Sequence, residues 1–336
     1  MTVSAQVARR ATISDVAALA GVSIPTVSRY LTGSTPVSAA KREAVERAIH
    51  ELDYRPNGAA RQLGGGKKSL ISVLTTNTTR LGYANTLQGI EQAGRDLGYM
   101  VAITVLDGAA SGDLERTIDL ATSQPTAGVL VIDFDPTARR ALGLIRNDIN
   151  SLAVTSHLDQ EHPQVRLDDY EGGRKATEYL LALGHRTVHY VATHPTPELI
   201  GRTSGWQEAL EDAGAPIPGI ITAAWTIRSG FDAGLDLVRD PTATAVLCGN
   251  DEIAFGVIRA FQTSGKRVPE DISVIGFDNH PHAEFWEPGL TTIDQDFVNL
   301  GSAAVRALVG APGESAAPKA KLIVRGSTGP APKDHV

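Results

Sequence analysis

The sequence predicts a small all-α headpiece of helix-turn-helix type joined to a large α/β body built on two parallel sheets. Three observations predict it. Three short stretches of helical periodicity fill the first 56 residues, a glycine run breaks the chain at 64–66, and from residue 70 β-branched runs alternate with amphipathic ones. A chain of 336 residues is too long for one ordinary domain and suits a small module followed by a large two-lobed one. A hydrophobic fraction of 42% is enough for sizeable cores.

The headpiece reads element by element. Thr12 is placed to cap the first helix, and Asp15 three residues on completes a shortened capping box. Ile13, Val16, Ala17 and Ala20 recur at helical spacing, and Gly21 marks the end. Ser23 can cap a second helix, which takes Pro25 in its first turn, where a missing N–H is harmless. Val27, Leu31 and Ile24 give that helix an apolar side. Ser38 starts a third helix with Val45, Ala48, Ile49 and Leu52 on one face. It stops before Tyr54-Arg55-Pro56, because a residue preceding proline avoids the helical region.

Two short helices joined by Gly-Val-Ser and braced by a third form a helix-turn-helix pattern. In that arrangement the second helix enters the DNA major groove. Its expected exposed positions are Ile24, Pro25, Ser28 and Arg29. Arg29 has the fork geometry for guanine, while Ile24 and Pro25 offer apolar contact, for example to a thymine methyl. Thr12, Ser23, Thr26 and Ser38, at helix starts, can bind phosphates. A small helical bundle that never meets nucleic acid shares the same pattern.

Charge is divided unevenly. Residues 1–68 hold ten Lys/Arg against five Asp/Glu, a net +5, and the rest is −12, which makes the overall −7. A basic module attracts phosphates and an acidic body stays off them, although a solvated surface can cluster charge by chance. Residues 57–63 can form two helical turns before Gly64-Gly65-Gly66 breaks them, and so short a helix is marginal alone. The GGGKKS stretch lacks the first glycine of a phosphate loop and has Lys68 where Ser or Thr belongs, which excludes that reading.

In the body, Leu70–Thr75, Met100–Val105, Gly128–Ile132, Val188–Ala192, Ala245–Cys248 and Ile272–Gly276 read as strands. Helices are expected with Leu87, Ile90, Gly94 and Leu97 on one face, and at Leu114–Ala121, Gly173–Leu183, Trp206–Ala213 and Ile253–Thr263. Strands alternating with helices imply parallel sheets, and about ten strands fit two sheets better than one. Ligands of such sheets sit beyond the carboxyl ends of the strands. Those ends carry Thr76–Tyr83, Asp133, Cys248-Gly249-Asn250-Asp251 and Phe277-Asp278-Asn279.

The stretch DVA…AGVS…TVSR, then VS…R..V..AI..L.Y.PN.AAR.L, resembles the headpiece and hinge of the lactose/galactose repressor (LacI) family of bacterial transcription regulators. The likeness continues through DDYEGGRKATEYLLALGHRTV, AVLCGNDEIAFGVIRAFQTSGKRVPEDISVIGFDN and PGLTTIDQDFVNLG. It implies a headpiece at 1–56 and a hinge at 57–69. It further implies a body at 70–330 of two Rossmann-like lobes, similar to periplasmic binding proteins. Lobe one would take about 70–166 and 294–320, and lobe two about 167–293 and 321–330. It also implies a homodimeric, sequence-specific repressor on a pseudo-palindromic operator. Its hinge would lie in the minor groove, with Leu63 as the wedge and Asn57 and Ala60 alongside. Gly58 departs from the bulkier family residue and should loosen the hinge helix.

The resemblance carries over an effector cleft residue by residue. Arg202 matches an arginine that binds effector hydroxyls, Asn250 a cleft asparagine, Asp278 a carboxylate that pairs sugar hydroxyls, Gln295 a polar contact and Trp225 an aromatic that stacks on sugar. Read from the residues alone, Trp225 can be core, Asp278 a structural loop residue, and Asp251 a helix cap. Arg80-Leu81-Gly82-Tyr83 departs from the family's Asn-Pro-Phe-Phe, and Arg80 and Tyr83 are expected to add ligand contacts. A sugar effector that releases DNA is the implied reading. A nucleobase or other metabolite acting as corepressor is the alternative, and a solute-binding protein without a DNA role is a further one.

No enzyme motif, cofactor site or metal site is expected, and the paired carboxylates Asp168-Asp169 lie in a stretch that the resemblance assigns to cleft binding. His280-Pro281-His282 lacks carboxylate or thiol partners at ligand spacing and reads as a surface loop. No serine elbow, zincin pair or dinucleotide GxGxxG occurs. The single cysteine, Cys248, permits no internal disulfide, and the N-terminus has no apolar signal core, so a cytoplasmic, nucleoid-associated protein is expected. The tail KLIVRGSTGPAPKDHV has no leucine heptads, so a dimer is expected rather than a coiled-coil tetramer.

Overall fold

The computed structural model describes residues 11–32, 35–54, 68–106, 111–158, 161–193, 201–312 and 319–333. The hinge candidates Asn57, Ala60 and Leu63 lie outside the described residues. The chain divides into two compact units, Met1–Lys68 and Ser69–Val336.

The first unit holds three helices: α1 (Ile13–Ala20), α2 (Ile24–Thr32) and α3 (Ala39–Glu51). Thr12 and Asp15 form the full reciprocal capping box, and Gly21 closes α1 in the left-handed conformation that a side chain would strain. The Ser23 carbonyl accepts from the amides of Thr26 and Val27 and so opens α2. Val16, Ala17, Val27, Val45, Ala48 and Tyr54 form the core, with Tyr30, Leu31, Ile49 and Leu52 against it. Ile24 lies one turn from the buried Val27 but opens the helix and is 45% exposed there, while Tyr30 packs against the core. The Tyr30 hydroxyl also donates to Glu46 Oε1 of α3 at 2.9 Å, tying the second helix to its brace.

The second unit contains two sheets. In chain order its elements are β1 (Leu70–Thr75), α4 (Leu81–Asp96), β2 (Met100–Val105), α5 (Ser111–Thr122), β3 (Gly128–Asp133), α6 (Pro136–Leu142), β4 (Ser151–Thr155) and β5 (Gln164–Arg166). There follow α7 (Asp169–Ala182), β6 (His189–Ala192), α8 (Arg202–Asp212), β7 (Ile221–Thr222), α9 (Ile227–Val238), β8 (Ala245–Cys248) and α10 (Asp251–Thr263). The last elements are β9 (Ser273–Phe277), β10 (Thr291–Asp294), α11 (Phe297–Val309) and β11 (Lys321–Ile323). One sheet has order β2-β1-β3-β4-β5 and the other β11-β10-β9-β8-β6-β7. All described pairings are parallel except β10 with β11, which is antiparallel. The chain changes lobe after β5, between β10 and α11, and between α11 and β11.

Alternation along the central strands sends side chains into two cores per sheet. Ile71, Val73, Leu130 and Ile132 meet α4 and α11 on one face of the first sheet. Leu74, Val129 and Val131 meet α5 and α6 on the other. In the second sheet Tyr190, Leu247 and Ile275 face α7 and α8, while Val191, Val246 and Val274 face α9 and α10. Three helix pairs approach until backbones touch. On α7, a Cβ at Gly173 would strike the Arg202 backbone, and one at Gly205 on α8 would strike Tyr170. That contact fixes where α8 begins and hence where Arg202 stands.

Candidate functional site

Two surfaces qualify, one in each unit. On the headpiece, Ile24, Pro25, Ser28 and Arg29 are exposed along the outer side of α2, and Thr26 is half-buried. Ser23 Oγ and Thr26 Oγ1 lie 2.9 Å apart at the start of the helix. Ser38 sits at the N-cap position of α3 and makes no side-chain cap bond. Thr12 Oγ1 donates to Asp15 Oδ2 at 2.7 Å, so the hydroxyl serves the capping box in this conformation. The candidate reading residues therefore share one helix face, and Lys41, Arg42 and Arg47 are exposed on the neighbouring helix. Such a face can place a guanidinium at base edges and hydroxyls and cations at phosphates.

In the body, the carboxyl ends of β8, β9 and β10 lead directly into Asn250, Asp278 and Gln295. Arg202, the first residue of α8, joins them: its Nη1 is 3.8 Å from Asp278 Oδ1. Gln295 Nε2 donates to the same oxygen at 3.4 Å. Asp278 has φ 95, and the loop after β9 is held from several directions. Asp251, fully buried, accepts from the Thr292 hydroxyl at 2.6 Å and from the His280 amide. The Arg325 guanidinium donates to Asn279 Oδ1 at 3.0 Å. Burial pushes the Asp278 carboxyl up to about 6 despite the pull of Arg202. Burial likewise holds Asp251 well above the carboxylate range, and the Thr292 and His280 bonds only partly offset it.

Trp225 is half-buried just before α9, not packed in a core, and the Arg80 guanidinium lies 5.1 Å from its ring centroid. This contact joins lobe one to lobe two across the strand ends, and a cation over an indole face is attractive. Glu252 is also half-buried, and its pKa is raised by burial and lowered in part by Arg80.

Three sequence expectations change. Tyr83 is 1% exposed and belongs to the lobe-one core, its ring edge-on to Phe134. Its hydroxyl donates to Asp135 Oδ2 at 2.8 Å, so it positions Asp135 instead of facing a ligand. Asn250, also 1% exposed, is the helix cap: its Oδ1 accepts from the Ile253 amide at 2.8 Å and its Nδ2 donates to Glu252 Oε2 at 2.7 Å. Asp251, weighed as that cap, instead secures the loop that carries Asp278. The physical reason is the same in each case: a polar group buried on a rigid element must bond within the protein. Asp169, at the start of α7 and in a stretch that the resemblance assigns to cleft binding, pairs with Arg202 at 3.0 Å. The sequence names no partner for it, since an acid in a first helical turn also reads as a dipole partner. Among the described residues no group of three His, Cys, Asp or Glu could hold a metal, and no helix is long and apolar enough to cross a membrane.

Comparison with known proteins gives two family matches: "Bacterial regulatory proteins, lacI family" over residues 12–57 and "Periplasmic binding protein-like domain" over residues 177–328. The chain is 31% identical over 303 residues to the lactose operon repressor of Escherichia coli K12, covering 89% of this chain and 84% of that protein. It is 33% identical over 314 residues to the transcriptional regulator CelR of Thermobifida fusca, covering 90% and 92%. A PurR repressor of Vibrio atlanticus is 32% identical over 89% of the chain and 91% of its own length. Among solved structures, the lac repressor dimer bound to operator and the anti-inducer ONPF superposes with a TM-score of 0.84 at 28% identity, over 96% of this chain and all of that one. The CelR–cellobiose complex does so with a TM-score of 0.65 at 29% identity, over 95% of this chain and all of that one.

Proposed function

The chain belongs to the LacI family of bacterial regulatory proteins, and from that premise we propose that it represses transcription as a homodimer on a pseudo-palindromic operator and is released by a sugar in the cleft. Members of this family are transcription regulators and not enzymes, and this chain carries both the DNA-binding and the sensing domain.

One observation carries the sugar reading: an acceptor carboxylate, Asp278, stands between two donors, Arg202 and Gln295, with the half-buried indole of Trp225 among the cleft candidates. A pyranose has hydroxyl edges and apolar faces, and carboxylate, guanidinium and indole suit it. The CelR relative crystallised with cellobiose supports the same class. In this reading Arg29 meets base edges, Thr12, Ser23, Thr26 and Ser38 meet the backbone, and Leu63, Asn57 and Ala60 enter the minor groove. The lac repressor dimer supports two copies. So does β2, a sheet-edge strand whose Met100, Ile103 and Val105 are exposed, Met100 by 73%. The sugar acts by binding more tightly to the state with weak operator affinity.

The test is a mobility-shift titration of operator DNA with neutral mono- and disaccharides and with nucleobases. The expected result is release by one sugar. Tightening by a nucleobase with indifference to every sugar contradicts the proposal and favours a corepressor.

A further inference from the structure

Arg202 enters the cleft with its charge already answered from behind. Asp169 Oδ2 accepts from Nε at 3.1 Å and from Nη2 at 3.0 Å, and the Gly249 carbonyl accepts from Nη1. Asp278 stands 3.8 Å from Nη1 on the other side. The Phe277 ring closes one face of the guanidinium, 4.0 Å from its carbon. A guanidinium has five N–H groups, so at most two remain for a ligand, and one of these points toward Asp278. Two carboxylates around one guanidinium leave this end of the cleft at −1. The half-buried Glu252 and the Arg80 guanidinium that pulls its pKa down carry opposite charges and leave that balance unchanged. The second oxygen of Asp169, Oδ1, is buried and has no hydrogen-bond partner.

The consequence follows from the missing counter-charge. With Asp278 alone, Arg202 would form a neutral pair, and an anionic ligand could displace the aspartate and take the guanidinium. With Asp169 bound through two N–H groups on the far side, that exchange leaves the anion against a site with no net positive charge. In a desolvated site, like charge within a few ångströms is strongly unfavourable. A hydroxyl or N–H donor faces no such barrier, because Asp278 still has acceptor capacity.

We propose that Asp169 is a specificity-determining residue of the cleft: by neutralising Arg202 it makes the site select an uncharged, donor-bearing ligand and reject phosphorylated or carboxylated relatives. This rests on the cleft being the effector site. The arginine's pKa agrees: burial works against its charge, but Asp169 first and Asp278 second raise it above its ordinary value.

The test is titration calorimetry on the full chain. The neutral panel is cellobiose, glucose, ribose and hypoxanthine, and the anionic panel is glucose 6-phosphate, ribose 5-phosphate, gluconate and inosine monophosphate. The tightest ligand is expected in the neutral panel, with its anionic relative at least about tenfold weaker. In Asp169→Asn, checked for folding by circular dichroism, the neutral-to-anionic ratio is expected to fall by about tenfold, and Asp169→Ser should show the same trend. A purely structural role would weaken both panels alike and leave the ratio where it was. If hypoxanthine is the ligand bound, the sugar reading fails and this one stands. If a sugar phosphate binds tightest, this one fails and the sugar reading stands. Absence of any neutral binder, or an unchanged ratio in both variants, also overturns it.

Discussion

At Asp278 the backbone holds φ 95, a region that side chains rarely adopt, and Asp251, Thr292 and Arg325 brace the loop that keeps it there. Because its pKa in the fold, about 6, lies above the ordinary carboxylate value, folding favours the protonated form. Its contribution to stability is therefore full at low pH and is lost as pH rises through about 6. Ligand binding has the opposite sign, since donor hydroxyls need the ionised acceptor. Affinity for a neutral sugar should climb through pH 6 and level off above it, measured by calorimetry from about pH 5 to about pH 8. Asp278→Asn should flatten that profile and weaken binding by about 1.5–3 kcal/mol, the worth of a hydrogen bond to a charged group. On the headpiece, Arg29→Ala should weaken operator binding by about 1–3 kcal/mol and relax preference at one base pair, read from a set of single-base operator variants. Arg202 and Gln295 rest on the family resemblance and Asp278 also on its place after an expected strand, and the fold brings the three together. At Tyr83 and Asn250, residue type reveals polarity and not the internal bonds that the fold gives each group.

Helix pairs set the cleft's geometry. Gly173 and Gly205 let α7 and α8 touch, and Arg202 opens the second of them. Gly173→Ala would drive a methyl into the Arg202 backbone. It should lower stability by about 1–3 kcal/mol in denaturant unfolding and weaken effector binding with it. In the headpiece, Thr12→Ala removes half of a capping box and should cost about 1 kcal/mol. Periodicity exposed α1, α3 and the buried strands β1, β3, β6, β8 and β9, but not the buried β4 and β10. It was silent on β5, β7 and β11, which span three, two and three residues. An element that short owes its existence to the neighbour it pairs with, as β11 does to β10. The glycines in α9 hid that helix too, since Gly230 and Gly234 serve its contact with α10 and not its own propensity.

Across the whole molecule, a basic segment of +5 and an acidic remainder of −12 divide the work of holding DNA and staying off it. Operator affinity should therefore fall steeply with salt, the logarithmic slope measuring about 0.9 for each phosphate neutralised. Domain order was legible because two changes of pattern, at the glycine run and at residue 70, are visible in composition alone. The pairing of Arg202 with Asp169 was not, because it joins residues 33 positions apart through the packing of two helices. Control of DNA binding by a ligand requires coupling between the cleft and the headpiece. Fluorescence anisotropy of labelled operator, with and without a saturating neutral sugar, measures it in the native chain and in Asp278→Asn. Sugar is expected to weaken the native chain's operator binding by at least about fivefold, while the variant binds operator normally and ignores the sugar. Equal operator affinity with and without every sugar tried, or a variant that responds as the native chain does, would contradict it.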